Sequence, residues 1–148
     1  MQPTHCTSDM HMVPARIGLE RSTYAYAWNS FIEAGLTIPC GSDFPVESNN
    51  PLLGIYAAVT RMDASGKVWN PGQAMTIQEA IKGFTIWAAH AAFLEDKLGS
   101  IEVGKYADFT ILDRDILNSD PQEIPAAKVM YTIVGGEIKY EALSGSIE

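Results

Sequence analysis

One segment, residues 36–47, constrains the fold more than any other part of the chain. It begins with a short apolar run, Leu36 to Cys40, which predicts a strand. Gly41 and Ser42 then predict a turn that presents the carboxylate of Asp43. Asn50-Pro51 predicts the start of a helix, because Asn caps helices well and Pro is tolerated at the first helical position. The segment therefore predicts a strand, a turn that carries an acid, and a helix.

Asp43 has two interpretations. In α/β barrels the residues at the carboxyl ends of the strands face the active site, so an acid here is a candidate for a catalytic or metal-binding carboxylate. Asp after Gly-Ser is also a common turn residue, whose side chain accepts a hydrogen bond from a nearby backbone amide. The spacing alone leaves both interpretations open.

Composition restricts the class of protein. The chain has 148 residues, of which 47% are hydrophobic and 19% charged, and its net charge is -8. These values are typical of one ordinary globular domain. No apolar run reaches the ~20 residues needed to cross a bilayer, and the first residues lack the basic and apolar regions of a secretory signal. The scarcity of Lys and Arg argues against binding to nucleic acid or anionic membranes, so we expect a protein that binds neither. Without a secretory signal we expect it in the cytoplasm.

The cysteines and histidines form no recognised zinc motif. Cys6 and Cys40 occur in unrelated contexts, which predicts reduced and buried thiols. The three histidines, His5, His11 and His90, are not arranged as HxH or HExxH. The residues therefore supply no complete metal-binding pattern by themselves.

Helical spacing dominates the first two thirds of the chain. Apolar residues recur every three or four positions over residues 22–34, 51–61 and 76–93, which predicts three helices. The third helix opens with Thr76-Ile77-Gln78-Glu79, which predicts a capping box. In this motif the Thr76 side chain bonds a first-turn backbone amide, and the Glu79 side chain bonds the Thr76 amide. Residues 9–20 contain Pro14 and Gly18 and predict an irregular loop.

The pattern changes from helical to strand spacing after residue 99. Residues 108–113 are rich in strand-forming side chains and predict a strand. Residues 129–140 predict a hairpin, because Gly135-Gly136 supplies the positive φ angles of a primed turn. We expect a largely helical part over residues 1–98 and a small antiparallel sheet within residues 99–148.

Five segments of this sequence resemble a known family when they are taken in order. They are Gln2-Pro3-Thr4-His5, Gly41-Ser42-Asp43-Phe44-Pro45-Val46-Glu47, residues 50–61, residues 99–108 and Val134-Gly135-Gly136. Together they resemble the C-terminal part of the amidohydrolase superfamily, and in particular amidohydrolase family 3. That family includes N-substituted formamide deformylase and related metal-dependent hydrolases.

The resemblance implies an α/β fold with two parts. The family has a metal-binding (β/α)8 barrel joined to a small β-sandwich, a composite domain that both ends of the chain build. Gln2 to His5 resembles barrel strand seven and Leu36 to Cys40 resembles strand eight. Residues 1–98 would then be the C-terminal portion of the barrel, with its last two strands and helices, and residues 99–148 the C-terminal share of the sandwich.

The resemblance also implies an activity and a set of site residues. The activity is hydrolysis of C–N, amide-like bonds by water that a divalent metal, expected to be zinc, activates. Asp43 matches the strand-eight aspartate, so we predict that it is both a metal ligand and the catalytic proton shuttle. His5 and Glu47 are candidate substrate-binding residues. Their alternatives are a loop histidine bonded to backbone and a solvated loop acid.

The chain departs from the family in its metal ligands. The HxH of strand one, the bridging ligand of strand four and the histidines of strands five and six have no counterparts here. A single carboxylate does not hold zinc, since catalytic sites use about three protein ligands. We therefore expect an incomplete metal site and no activity of this chain as an isolated fragment.

A non-catalytic role is the alternative. In that interpretation the chain is a folded module that completes its fold by self-association or with a partner chain. The exposed strand edges of an interrupted barrel favour a homo-oligomer.

Overall fold

The structure is a computed structural model that describes residues 1–142. It contains helices α1 (Pro3–Asp9), α2 (Val13–Ile17), α3 (Leu19–Ser22), α4 (Trp28–Glu33), α5 (Pro51–Thr60), α6 (Ile77–Phe84) and α7 (Ile86–Ala91), and strands β1 (Phe109–Leu112), β2 (Val129–Val134) and β3 (Glu137–Glu141). Short 3₁₀ helices cover Pro71–Gln73 and Pro121–Ala126. Within residues 1–142 every helix is too short or too polar to span a membrane.

Helix α5 lies at the centre of the helical part. It carries no charged residue, and a helix that is apolar on all sides is normally buried. It packs against α1, α6 and the 3₁₀ helix Pro121–Ala126. The core that surrounds it is made of side chains from most of the helical elements. They include Cys6, Trp28, Ile38, Leu52, Ile55, Ala58, Met75, Ala80 and Ile124.

Trp28 packs against a buried cation in this core. Trp28 and Arg61 are both 0% exposed. The guanidinium carbon of Arg61 lies 4.5 Å from the centroid of the Trp28 ring. Arg61 also donates hydrogen bonds to the carbonyl oxygens of Trp69 (2.6 Å) and Tyr26 (2.9 Å). The stacked guanidinium thereby ties the end of α5 to the segment before α4.

Both predicted helix starts are confirmed, but the third predicted helix is interrupted. The side chain of Asn50 caps α5 by accepting a hydrogen bond from the Leu52 amide at 3.0 Å. Thr76 and Glu79 form both bonds of the capping box. The helix over 76–93 ends at Thr85, whose hydroxyl donates to the Ile81 carbonyl at 2.7 Å, and α7 begins at the next residue. Such bonding to the preceding turn is known to bend helices.

The predictions for residues 9–34 are wrong in their boundaries. The loop over 9–20 instead forms α2 and α3, with Gly18 at φ 85 between them. The helix over 22–34 shortens to α4, because Tyr26 adopts φ 54 and interrupts it. Tertiary contacts hold Tyr26 there: its hydroxyl bonds to Asp9 and its carbonyl accepts from the buried guanidinium.

The strand predictions in the first half are not confirmed. Gln2 to His5 is wrong as a strand, because α1 begins at Pro3. Leu36 to Cys40 is not assigned to a strand either. A strand is stabilised by ladder partners along its length. In the described residues this segment has long-range backbone partners only at residues 39–41, and its remaining backbone bond joins the Leu36 amide to the nearby Phe31 carbonyl in α4. The (β/α)8 barrel therefore stays a prediction.

The predicted antiparallel sheet is confirmed. Strands β1, β2 and β3 form one sheet in that order, with Phe109 opposite Ile133 and Val134 opposite Glu137. Gly135 and Gly136, at φ 59 and 82, form the tight turn between β2 and β3. Residues 143–148 of the predicted 99–148 part lie outside the described residues.

Candidate active site

Backbone hydrogen bonds hold the segment before Asp43 to Met1 and to helix α6. The amino group of Met1 donates to the Pro39 carbonyl at 2.6 Å, and the Gly41 amide donates to the Met1 carbonyl at 2.9 Å. Met1 is thus bonded to the residues on either side of Cys40, which is the hydrogen-bond pattern of two parallel extended segments. The Cys40 amide donates to the carbonyl of Gly83 in α6 at 2.9 Å. These bonds fix where the following turn lies.

Asp43 occupies a tight turn with its side chain in solvent. Its φ is 59, a left-handed conformation that Asp adopts more easily than most residues. The Val46 amide bonds to the Asp43 carbonyl at 2.8 Å, and the Ser42 hydroxyl accepts from the Phe44 amide at 3.3 Å. The carboxylate is 55% exposed. In residues 1–142 it accepts no hydrogen bond, so it does not act as the backbone-bonded turn acid of the alternative interpretation.

His5 is the neighbour of this carboxylate. Its Nε2 lies 3.8 Å from Oδ2 of Asp43, and its side chain is 22% exposed. That nitrogen has no hydrogen-bond partner in the described part of the chain. The separation is too long for a direct hydrogen bond. It is short enough for one bound ion, about 2.1 Å from each, to contact both groups. The residue lies in α1, so the interpretation of His5 as a loop histidine is wrong.

Glu47 makes a different contact. Its Oε1 accepts a hydrogen bond from the Ser8 hydroxyl at 2.6 Å. It lines an open cleft of about 830 Å³ between α1, α5 and the loop over residues 62–66. The structure therefore brings His5 and Asp43 together but pairs Glu47 with Ser8.

The same cleft contains a pair of residues that the sequence does not reveal. Nε2 of His11 lies 2.8 Å from Oδ2 of Asp63. Oδ1 of Asp63 accepts from the Ser65 hydroxyl and amide and from the Lys67 amide. These hydrogen bonds, that of the Ser65 hydroxyl first, lower the pKa of Asp63 to about 2. The Asp-Ala-Ser-Gly-Lys turn is recognisable in the sequence, but its contact with a distant histidine is not.

The described residues do not make a complete metal centre. Across residues 1–142 there is no group of three His, Cys, Asp or Glu side chains that could hold an ion. His5 and Asp43 form one pair, whereas catalytic zinc sites use about three protein ligands. Asp43 as a metal ligand therefore stays a prediction.

Solved structures define the class of this protein. One is described as an uncharacterised metal-dependent hydrolase from Pyrococcus horikoshii OT3, with a TM-score of 0.73 and 30% identity over 82% of this chain and 25% of that chain. An amidohydrolase from Thermotoga maritima MSB8 matches with a TM-score of 0.60 at 17% identity, over 79% of this chain and 26% of that chain, which supports the fold alone. These matches show that the chain has a mixed α and β fold like that of part of these hydrolases.

The chain belongs to the amidohydrolase family, whose model matches residues 1–140. The amidohydrolase YtcJ of Bacillus subtilis (strain 168) is 35% identical over 144 residues, which are 95% of this chain and 27% of that protein. N-substituted formamide deformylase of Arthrobacter pascens is 35% identical over 112 residues, 76% of this chain and 21% of that enzyme. The resemblance to amidohydrolase family 3 is thus confirmed, and the chain spans about a quarter of the length of these relatives.

Proposed function

We propose that this chain is the C-terminal share of a metal-dependent amidohydrolase that hydrolyses amide-like C–N bonds. The observation that carries the proposal is the pairing of His5 with Asp43, 3.8 Å apart at the turn that follows residues 36–40. Membership of the amidohydrolase family and a relative named as a formamide deformylase support the choice of bond. In this proposal residues 1–98 belong to a (β/α)8 barrel and residues 99–148 to a β-sandwich.

Asp43 is the proton carrier in this proposal. In C–N hydrolysis the oxygen of water bonds to the carbonyl carbon, the C–N bond breaks, and a proton moves from the water to the leaving nitrogen. A solvent-exposed carboxylate without a hydrogen-bond donor of its own can accept that proton and return it to nitrogen. His5 lies beside this carboxylate and is assigned to substrate binding.

The proposed parent enzyme uses a divalent metal, with zinc as the expected ion. Such an ion lowers the pKa of a bound water toward neutrality. Asp43 is the ligand that this chain would contribute. Because the described residues supply no group of three ligands, the remaining ones lie outside residues 1–142 in this proposal. The proposed location is the cytoplasm, because Cys6 and Cys40 are free thiols and disulfides are rare in that compartment.

We expect the isolated 148-residue chain to retain less than one equivalent of zinc and to leave small N-acyl amides uncleaved. One carboxylate ligand binds zinc weakly, so added zinc should shift the NMR signals of the neighbouring His5 ring only at millimolar concentration. The shift should disappear in Asp43→Asn. Metal analysis, an amide hydrolysis assay and histidine NMR measure these three quantities.

The matched control is Asp96→Asn, which removes an exposed carboxylate elsewhere in the chain. It should leave the zinc-induced shift unchanged. Zinc-induced shifts that persist in Asp43→Asn would contradict the ligand assignment. Stoichiometric zinc together with hydrolysis that Asp43→Asn abolishes would show that the chain is an enzyme by itself, against our view of it as an inactive fragment.

Self-association is the second candidate function, and the sheet favours it. Within the described residues β1 and β3 are both edge strands. Ile111, Val134 and Ile138 of this sheet are 44%, 48% and 59% exposed. Exposed apolar edges favour pairing with another chain. The chain would then complete its fold as a homo-oligomer.

We expect a solution mass of at least twice the 16.1 kDa of one chain. Size-exclusion chromatography with light scattering measures it. Ile138→Lys should shift the population toward monomer, since a charge on an edge strand opposes pairing. Leu19→Lys, at an exposed position in α3, should not. A monomer of the unmodified chain at about 100 µM, well above a micromolar dissociation constant, would argue against self-association.

A further inference from the structure

The cleft that Glu47 lines has the size of a ligand site. Its volume of about 830 Å³ lies within the ~300–1,000 Å³ typical of small-molecule pockets. Thr4, which precedes His5, lines both this cleft and a smaller cavity of about 200 Å³ that Gly41 and Ser42 also line. The cleft is therefore adjacent to the turn that carries Asp43.

The charges on the walls of this cleft are negative. Glu47 and Asp63 both line it, and no Lys or Arg does so in the described part of the chain. Asp63 is ionised at neutral pH, since hydrogen bonds from Ser65 and Lys67 hold its pKa at about 2. His11 is already bonded to Asp63, and Arg61 is fully buried against Trp28. A concave surface with two carboxylates and no fixed cation attracts a positively charged ligand.

The hydrogen-bonding groups of the walls favour a ligand that donates. The hydroxyl of Ser8 donates to Glu47, and the hydroxyl of Tyr56 donates to Gln122 at 3.0 Å. With these protons engaged, the second carboxylate oxygen of Glu47 is a free acceptor, and the buried hydroxyl of Thr4, which also lines the cleft, has no partner in the described residues. An ammonium group has three donors and no acceptor, so it matches these walls, whereas a carboxylate or phosphate does not.

The same walls offer apolar contact for a carbon chain. Leu53, Tyr56 and Met62 line the cleft, and the hydroxyl of Tyr56 donates to the sulfur of Met62 at 3.5 Å, which holds the two side chains side by side. Aromatic and thioether side chains pack well against alkyl and aryl groups, and an aromatic face also attracts a cation. The cleft thus combines an anionic, acceptor-rich part with an apolar part.

We propose that this cleft binds a small organic ammonium ion, the amine half of a substrate whose C–N bond is hydrolysed. The inference rests on the proposed function, because hydrolysis of an amide releases an amine that takes up a proton at neutral pH. Glu47 would bind the ammonium group, and Tyr56 and Met62 would contact its substituent. The cleft would then select substrates by the group attached to nitrogen.

Binding can be measured without any reaction, on the full 148-residue chain with its methionine methyl groups labelled for NMR. The probes are butylammonium, butan-1-ol and butanoate, which share a short alkyl chain and differ in charge. We expect butylammonium to shift the methyl signal of Met62 and to leave those of Met75 and Met130 in place. Butan-1-ol should bind at least about tenfold more weakly, because a charged hydrogen bond is lost, and butanoate should not shift Met62.

Two variants test whether the carboxylate of Glu47 binds the ammonium group. Glu47→Gln keeps the shape of the side chain and should weaken butylammonium binding by about tenfold, whereas Glu20→Gln, at an exposed position outside the cleft, should not change it. Equal binding of amine and alcohol, or unchanged affinity in Glu47→Gln, would overturn the proposal. The probe series on the unmodified chain decides the matter even if a variant fails to fold. Amine binding together with a zinc-induced His5 shift that persists in Asp43→Asn would refute only the proposed function. The absence of amine binding together with a zinc shift that depends on Asp43 would refute only the cleft.

Discussion

Replacing Trp28 with Ala is expected to lower the free energy of unfolding by about 3–5 kcal/mol. Trp28 is 0% exposed and belongs to the central core with Leu52 and Ile55. The substitution would leave a cavity there, and Arg61 would lose the ring on which its buried guanidinium stacks. Urea unfolding followed by circular dichroism measures the loss, which is a large part of the ~5–15 kcal/mol that stabilises an ordinary domain.

Tyr24→Ala is the matched control for this experiment. Tyr24 is an aromatic residue of the same segment, but it is 78% exposed. Its removal should change the free energy of unfolding by less than about 0.5 kcal/mol, as surface substitutions usually do. Trp28→Phe should restore part of the loss, since it keeps an aromatic ring in the core. Similar losses for both alanine variants would mean that Trp28 is not the buried anchor of this region.

The same pair of residues explains a limit of sequence-based prediction here. Helical spacing predicts that Tyr24, Trp28, Phe31 and Ile32 share one face of the helix expected over residues 22–34. Only Trp28 is fully buried, because the chain turns at Tyr26 and the predicted helix does not continue. That turn is held by Asp9 and Arg61, which are distant in sequence. A period of 3.6 residues contains no information about such partners.

Features that depend on near neighbours in sequence were predictable. The cap at Asn50, the capping box that opens α6 and the turn at Gly135-Gly136 all form bonds within a few residues, and all three are present. Strand formation over residues 2–5 and 36–40 was not predictable in this way. An apolar run becomes a strand only if other strands pair with it, and in residues 1–142 those partners are few.

In the candidate site, too, the sequence indicates individual residues but not the contacts between them. Spacing suggested Asp43 as a turn acid, and the family resemblance added His5. Neither the spacing nor the resemblance predicts that the two side chains lie 3.8 Å apart, because that distance depends on the tertiary structure. Glu47 was a candidate from its position near Asp43, yet its partner is Ser8. The pairing of His11 with Asp63 has no sequence signal at all, which is why this part of the cleft emerges only from the structure.

Gly83→Ala is expected to destabilise the chain by about 1–3 kcal/mol, although Ala normally favours a helix over Gly by about 1 kcal/mol. A Cβ atom at position 83 would lie 2.7 Å from the sulfur of Cys40 and 3.0 Å from the carbonyl oxygen of Ile38. Helix α6 would have to move away from the segment that leads to Asp43. Thermal and urea unfolding measure the loss, and Gly72→Ala, whose added Cβ meets nothing within 4 Å, should change stability by less than about 0.5 kcal/mol.

The effect of Gly83→Ala should reach the candidate site. The Gly83 carbonyl accepts the Cys40 amide at 2.9 Å, so a displaced α6 also displaces the start of the Asp43 turn. The NMR signals of the His5 ring should therefore change in Gly83→Ala and not in Gly72→Ala. Cys40→Ala removes the sulfur that the new methyl group would meet, so the double variant should recover part of the stability, with a coupling of about 0.5–3 kcal/mol. Additive losses, or a Gly83→Ala variant more stable than the unmodified chain, would mean that α6 does not approach this segment as closely as the glycine requires.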